Sequence, residues 1–472
     1  MDDEVTFGVI VSTRGFFPAS LAEQGRKEVL AKLDDLGYEY VIIPEDATPY
    51  GAIETFEDAK KCAKLFANDR DAIDGIIVVL PNFGDEQGVS QAIDMAGLDV
   101  PVLVQASDDD LDAMDLAHRR DSFCGKLSLC NNLYQHGIKF TNTRLHSCAI
   151  ESDAFSEDIR FFARVCRVVG GLRGARIGAI GQRPDPFHTV RFSEKILQAS
   201  GITVCVVDMS EIIAAAEGMQ EDGRVKDRIA AIREYGRVSE EVTGEQVRKS
   251  ACLSLAMEEW VEQNQCVATA VQCWTSLQEN YGCAACLPMS MMSEKGMPSA
   301  CETDVTGALT MYALQLASGE PSGYLDWNNN YADERDKCVC THCSNYPKSF
   351  VANEIELSPL DILGESLGRE FCFGGVKGKL SAGPMTFAKV STDDTRGVVR
   401  AYVGEGEFTD DPCDTPGGFA VCRVPGLQDL MDFLCRSGFE HHVAMNRARS
   451  AQVLQEALGN YMGWEVHRHG AE

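Results

Sequence analysis

The sequence predicts an α/β protein: two Rossmann-like domains with parallel sheets, at 1–170 and 171–355, followed by a smaller β-barrel-like domain at 356–472. Three observations lead there. The first 110 residues alternate short, wholly apolar runs with runs of helical spacing. The same alternation restarts after Gly170-Gly171. Beyond about residue 356, glycines at Gly374-Gly375, Gly378, Gly383, Gly397, Gly404, Gly406 and Gly417-Gly418 break up short β-rich runs. A strand that is apolar throughout must be covered on both faces, which is the situation of a parallel sheet between helices. Closely spaced turn signals between β-rich runs instead indicate antiparallel strands.

The elements follow in order. Val5–Val11 is β-rich, and Leu21–Leu36 has helical spacing that stops at Gly37. Tyr40–Ile43 is a short strand ahead of Pro44, and Phe56–Phe66 is helical. Ile73–Leu80 is a nearly continuous apolar strand stopped by Pro81, followed by the helical Gln87–Ala96 and the strand Val100–Val104. In the second domain Arg176–Ile180 and Ile202–Val207 are strands, with helices expected over Thr189–Ala199, Ile212–Ala216, Asp222–Val242 and Trp260–Ala270. Val398–Val403 is one of the late β-rich runs, and an amphipathic helix is expected near Ser450–Leu458.

Composition narrows the class. The chain has 472 residues, 44% hydrophobic and 24% charged, which suits a folded protein of two or three domains. A formal net charge of −29 disfavours nucleic acid and anionic membrane surfaces as partners. No window approaches 18 uninterrupted apolar residues, so no membrane span is expected. The start Met1-Asp2-Asp3-Glu4 is acidic where a secretory signal is basic and then apolar, so a cytoplasmic protein is expected. The 19 cysteines lie mostly in apolar runs, as small buried hydrophobes in a reducing compartment do.

The chemistry is concentrated in residues 272–350 and in one distant pair. Glu302, in Ala300-Cys301-Glu302-Thr303-Asp304, precedes the helical run Val305–Leu316 and stands near a helix N-terminus, where an acid is favoured. A capping role without chemistry is the plainer account. Asp326 lies in Gly323-Tyr324-Leu325-Asp326-Trp327-Asn328, at what reads as the end of an apolar strand; a turn aspartate is the alternative. His342 lies in Thr341-His342-Cys343-Ser344, and His441-His442 precedes Val443-Ala444-Met445. Adjacent imidazoles on a strand point to opposite faces, so one can reach a metal while the other stays outside. Two carboxylates and imidazoles suit Mn²⁺, Mg²⁺, Co²⁺ or Zn²⁺, and such a site does Lewis-acid chemistry on oxygen-rich substrates. Gln272 and Trp274 precede the acids and are candidates to line a sugar pocket, although core packing serves Trp274 equally well. Arg14 follows the first strand, where a substrate oxygen could be held, or is a surface cation.

On the strings Ser12-Thr13-Arg14-Gly15-Phe16-Phe17, Gln272-Cys273-Trp274, Ala300-Cys301-Glu302-Thr303-Asp304-Val305, the Asp326 segment, His342-Cys343-Ser344-Asn345 and His441-His442, the chain resembles the L-fucose isomerase and L-arabinose isomerase superfamily, nearest its fucose isomerase-like branch. The resemblance implies an aldose–ketose isomerase working through a cis-enediol with a divalent metal, Mn²⁺ or another such as Co²⁺ or Mg²⁺. It implies Glu302 and Asp326 as metal ligands and acid–base pair, His442 as the metal-binding imidazole, and His342 as a metal or substrate histidine. It also implies a homo-oligomer, trimer or hexamer, with shared active sites, in which Arg14 reaches a neighbouring subunit's pocket. The substrate to expect from it is a free sugar of fucose or arabinose type, or a C6-modified hexose such as sulfoquinovose.

Two other classes stand beside this reading. One is a non-catalytic sugar-binding or regulatory protein on the same scaffold. The other is a structural-zinc protein using Cys283, Cys286, Cys338 and Cys340, whose spacing is imperfect for a four-ligand site.

Overall fold

The computed structural model describes residues 5–219 and 222–470. The chain forms two compact units, residues 1–170 with 456–463, and residues 171–455 with 464–472.

In the first unit five strands, β1 (Thr6–Val11), β2 (Glu39–Ile42), β3 (Gly75–Leu80), β4 (Val102–Ala106) and β5 (Thr141–Asn142), form a parallel sheet in the order β2-β1-β3-β4-β5. Helices α1 (Ala19–Leu36), α2 (Phe56–Asn68), α3 (Glu86–Ala96), α4 (Ser122–Gln135) and α5 (Asp153–Leu172) connect them. The two faces are sorted residue by residue. Phe7, Val9 and Val11 join a core with Val29 and Leu33 of α1 and Phe155, Ile159 and Phe162 of α5. Ile10, Ile76 and Val78 join a second core with Phe66 of α2, Val89 of α3 and Leu129 of α4. Apolar residues on both faces of β1 and β3 are therefore what a doubly wound sheet requires. From 456–463, Tyr461 Oη donates to the Val102 carbonyl at 3.2 Å, and Glu456 accepts from Thr141 Oγ1 at 2.7 Å.

The second unit begins with β6 (Arg176–Ile180), α6 (Glu194–Ala199), β7 (Thr203–Val207), α7 (Met209–Gly218), α8 (Gly223–Tyr235), β8 (Arg237–Val238), α9 (Gly244–Gln263) and β9 (Ala268–Val271). Then come α10 (Ser276–Asn280), α11 (Cys286–Glu294), β10 (Ser299–Ala300), α12 (Val305–Ser318), β11 (Ser322–Tyr331) and β12 (Glu334–His342). The remainder is β13 (Glu356–Pro359), α13 (Asp361–Leu367), β14 (Phe373–Lys379), β15 (Gly383–Asp393), β16 (Val398–Thr409), β17 (Gly418–Arg423), α14 (Leu427–Ser437), β18 (His442–Asn446), α15 (Ala451–Leu454) and β19 (Glu465–Arg468). A four-stranded parallel sheet has the order β10-β9-β6-β7. A ten-stranded mixed sheet has the order β19-β16-β15-β18-β11-β12-β17-β14-β13-β8, with β16 also paired to β17. What the sequence expects as a barrel-like C-terminal domain is this large mixed sheet. It takes β11 and β12 from before residue 355, so the expected boundary there falls inside one unit.

Helix α12 lies between the two sheets, against β6, β9 and β10 on one side and β11, β15 and β18 on the other. Nearly all its residues are buried, as expected of a helix that is apolar all round. Its N-terminus is thereby fixed beside strands of both sheets, and that junction is where the chemistry gathers.

Four expectations for residues beyond 170 need correction. Trp260–Ala270 is not one helix: α9 runs on to Gln263, Gln265 adopts a left-handed φ of 52°, and β9 starts at Ala268. A four-residue apolar run carries no periodicity that separates helix from strand. Asp222–Val242 is helical only to Tyr235, because extended Gly236 leads into β8, which pairs with β13. Helix α6 starts at Glu194, where Ser193 Oγ caps it, not at Thr189. The helix expected at Ser450–Leu458 is a short α15 that widens into a π-helical turn over Gln455–Tyr461.

Candidate active site

Glu302 stands just past β10, at the C-terminal edge of the parallel sheet, the usual place for functional groups in such folds. It and Thr303 have left-handed φ values of 54° and 57°. Two successive non-glycine residues there cost of order 1–3 kcal/mol each and persist only when their surroundings hold them. Thr303 N–H donates to the Val271 carbonyl at 3.1 Å, and Asp304 N–H to that of Cys301 at 3.0 Å. The turn carries Glu302 inward, where the residue is only 7% exposed. Its Oε1 accepts from Trp274 Nε1 at 3.3 Å and from Cys273 Sγ at 3.5 Å.

Asp326 and His442 arrive from the other sheet. They are direct cross-strand partners on β11 and β18, so both side chains emerge on one face. Asp326 lies within β11, just before a register shift at Trp327 and Asn329, not at the strand's end. His442 Nε2 is 3.6 Å from Glu302 Oε2 and 3.6 Å from Asp326 Oδ1. His342, the last residue of β12, places its Nε2 3.7 Å from Glu302 Oε2. Glu302 Oε2 and Asp326 Oδ1 are both buried without a hydrogen-bond partner. Glu302, His342 and His442 form one group able to hold a metal ion, and Asp326, His441 and His442 another. Buried carboxylate oxygens left without hydrogen-bond partners, with two imidazoles beside them, fit a divalent cation.

Asp304, two residues after Glu302, organises the site from behind. Its Oδ1 caps α12 by accepting from Gly307 N–H at 2.8 Å and from Thr306 Oγ1 at 3.0 Å. Its Oδ2 accepts from Lys389 Nζ at 2.7 Å, Tyr324 Oη at 2.6 Å and His442 Nδ1 at 3.0 Å. The side chains of Asp304 and Lys389 are wholly buried. Because a carboxylate only accepts, His442 Nδ1 must carry a proton, and Nε2 is the nitrogen turned toward Glu302 and Asp326. Gly307 is required here: a Cβ in its place would stand 2.1 Å from Tyr324 Oη.

The electrostatics follow from this packing. Burial pushes the Glu302 carboxyl up, but the His342 imidazole beside it outweighs burial and lowers it to about 2. Burial pushes His342 down, but the Glu302 carboxylate beside it, with Asp326, outweighs that and raises it to about 9. Burial opposes the charge on Asp304, yet Lys389, then His442, hold its carboxyl well below the usual range.

Glu302, Asp326, His342 and His442 line one cavity of about 230 Å³, with Phe187 and Lys377 among the other walls. That is smaller than the roughly 300–1,000 Å³ of drug-sized sites and suits a small ligand. Trp274 joins the group through Glu302. Gln272 does not line this cavity: its Oε1 accepts from Gln182 N–H at 3.0 Å, and it faces another cavity with Asp208 and Ser276. His441 is exposed, with Nε2 3.9 Å from Asp326 Oδ1. Arg14 belongs to the first unit, where it pairs with Glu86, lies 3.7 Å from Asp85 and sits over the Phe83 ring at 4.5 Å. Cys338 and Cys340 are 3.8 Å apart on β12, across from Cys422 of β17, while Cys283 bonds to backbone carbonyls. Among the described residues, Cys283, Cys286, Cys338 and Cys340 form no common ligand group. Asp304 and Lys389 escape the sequence reading. Asp304 had a signal, an acid directly ahead of a helical run; Lys389, inside a β-rich run, had none.

A buried set of acids and imidazoles at the floor of a small cavity defines a site built for chemistry on a polar small molecule. Comparison with known proteins narrows that class. Residues 8–173 match the family model described as the fucose/sulfoquinovose isomerase N-terminal domain. Residues 340–469 match the L-fucose isomerase C-terminal domain. The chain is similar to a sulfoquinovose isomerase from Alkalicoccus urumqiensis, 26% identical over 305 residues, covering 64% of this chain and 67% of that one. It is also similar to sulfoquinovose isomerases from Priestia megaterium, 25% identical over 323 residues and covering 67% and 69%, and from Clostridium sp. (strain MSTE9), 28% identical over 180 residues and covering 38% and 40%. The chain belongs to the fucose isomerase-like family, and it is an aldose–ketose isomerase. Among the described residues no helix is long and apolar enough to cross a membrane.

Proposed function

We propose that the enzyme is a metal-dependent isomerase of free sugars, in which Glu302, Asp326 and His442 hold a divalent cation with His342 beside them. The observation that carries this is the pair of buried, unpartnered oxygens, Glu302 Oε2 and Asp326 Oδ1, each 3.6 Å from His442 Nε2. A cation such as Mn²⁺, Co²⁺ or Mg²⁺, when bound, supplies Lewis-acid polarisation of the substrate's carbonyl and hydroxyl oxygens.

Moving a carbonyl from C1 to C2 takes a proton from C2 and returns one to C1 through a cis-enediol. Glu302 is ionised at neutral pH, because His342 overcomes the effect of burial, so it is available as a base. Trp274 and Cys273 hold its other oxygen and keep Oε2 turned into the cavity. Asp326 stands across the cavity floor as the second carboxylate of the acid–base pair. His342 presents a donor for a substrate oxygen, and Phe187 helps keep water out. The relatives' name makes a C6-sulfonated hexose the first substrate to try, beside fucose- and arabinose-type sugars. The family likeness extends the proposal to a trimer or hexamer in which Arg14 serves a neighbouring copy's pocket.

The test is isomerisation in D₂O of sulfoquinovose, L-fucose and L-arabinose, after EDTA dialysis and after restoring Mn²⁺. The expected result is a ketose carrying deuterium at C1, formed only with the cation. Turnover unchanged after thorough removal of metal would overturn the proposal.

A further inference from the structure

We infer that Lys377 sets the substrate class: its ammonium receives an anionic group carried on C6 of the hexose, and Asp361 holds it ready until the sugar enters. This rests on the isomerase reading above.

Sheet register places the two ends of the cavity. Asp326 is paired with Thr341, Thr341 with Phe419, and Phe419 with Lys379, across β11, β12, β17 and β14. Paired residues share a face, and Lys377 lies two residues before Lys379, so it stands on the face of Asp326. Three strand spacings of about 4.8 Å separate the backbones by roughly 14 Å. Both residues line the same cavity, and a strand separation of roughly 14 Å is on the scale of a hexose together with the side chains that would hold it.

The charge balance makes Lys377 decisive. It is the one Lys or Arg among the described residues lining the cavity, which also carries Glu302, Asp326 and Asp361. A dication offsets the first two acids. An anionic substituent at the far end would then meet Asp361, and among the described residues lining the cavity Lys377 is the lysine or arginine placed to receive it. Lys377 Nζ now lies 2.8 Å from Asp361 Oδ1 and 2.7 Å from Oδ2. Asp361 also accepts from Arg369 Nη1 at 3.2 Å, and Arg369 in turn pairs with Glu241. Lys377 can therefore turn to a ligand while Asp361 keeps a cation. Both members of the pair are partly solvated, so little stability is lost when it opens. An ammonium has three donors and no acceptor, and a sulfonate has three acceptor oxygens and no donor. A 6-deoxy sugar offers this end nothing, and the Lys377–Asp361 pair would stay closed over it.

The experiment compares KM and kcat of wild type, Lys377→Met, Lys377→Arg and Asp361→Asn on sulfoquinovose, D-glucose 6-phosphate and 6-deoxy-D-glucose, with Mn²⁺ present. Lys377→Met should raise KM for the sulfonated sugar by about tenfold or more, with kcat nearly unchanged and 6-deoxyglucose unaffected. Lys377→Arg should restore most of the affinity. Asp361→Asn should lower KM for the sulfonated sugar, because it removes the competing carboxylate. The same dependence with the phosphorylated sugar would extend the class to C6 anions in general, and dependence with sulfoquinovose alone would restrict it to sulfonates; both support the inference. Equal effects on the charged and the 6-deoxy sugar, or no effect, would overturn it while leaving the isomerase reading intact. No turnover of any of these sugars, nor of L-fucose or L-arabinose, would remove that reading and the inference with it.

Discussion

Replacing Asp304 by Asn tests whether the site depends on the buried carboxylate behind it. The side chain keeps its size, so the outcome is decided by hydrogen-bond chemistry. In the native protein Oδ1 accepts two donors at the start of α12, and Oδ2 accepts from Tyr324, Lys389 and His442. An amide has one acceptor. If its oxygen keeps the helix cap, its NH₂ is turned toward three donors; if it flips, the cap is lost. Either way Lys389, wholly buried, loses its counter-charge and is left with Tyr324 Oη at 2.7 Å and Thr306 Oγ1 at 3.4 Å. Breaking a buried pair from one side costs about 3–5 kcal/mol. The second consequence is separate: His442 loses the acceptor that fixes Nδ1–H, and loss of such a partner lowers metal affinity about 10–100-fold. The double variant Asp304→Asn/Lys389→Met separates the two, because it removes the orphaned charge without restoring the acceptor. Urea unfolding in EDTA should show most of the stability recovered in the double variant, while calorimetric titration of Mn²⁺ shows its affinity still depressed. Mn²⁺ affinity within about twofold of wild type in Asp304→Asn would refute the orienting role.

Three other outcomes are expected. Glu302→Gln and Asp326→Asn should each abolish ketose formation in a coupled assay while the chain still folds, since both oxygens at issue lack hydrogen-bond partners in the fold; near-normal turnover in either would remove that residue from the acid–base pair. His442→Ala should weaken Mn²⁺ binding far more than His441→Ala, because His442 faces both acids and His441 faces solvent; titration of the two variants checks the order. In the metal-free protein, His342 is raised from 6.5 to about 9, so its contribution is complete below about pH 6.5 and lost as pH rises through about 9, while Glu302, lowered from 4.5 to about 2, contributes above about pH 4.5 and loses that contribution as pH falls toward about 2. This pair therefore stabilises most between about pH 4.5 and 6.5, and His342→Gln should flatten the alkaline side of the stability profile measured in EDTA.

The sequence shows the parts of this fold that rest on local pattern. Ile73–Leu80 reads as a strand covered on both faces because it is nearly continuously apolar, and β3, Gly75–Leu80, is such a strand. Val305–Leu316 reads as a helix because its apolar residues and its stop at Gly319 are local facts. The run Trp260–Ala270 misleads for the same reason: its last four apolar residues have a strand's composition and a helix's context, and only pairing with β6 and β10 decides between them. The mixed sheet is the extreme case. Its order alternates strands far apart in the chain, and no local signal states that β18 lies beside β11.

The same distinction explains which site residues were visible. Glu302, Asp326, His342 and His442 each stand at the edge of an apolar run, where an acid or imidazole is conspicuous. Lys389 sits inside one, between Ala388 and Val390, where a lysine looks like the solvent face of a strand. Its burial is not a property of its own strand. It follows from α12 being clamped between two sheets, which closes over the β15 face and forces the ammonium to find Asp304 or leave the core. Asp304 can serve Lys389 and His442 together only because Oδ1 is already spent on the helix cap, so Oδ2 is held in one direction. The cap, the buried ion pair and the imidazole tautomer are therefore one structural decision, made by a residue whose sequence signal announces only the first of the three.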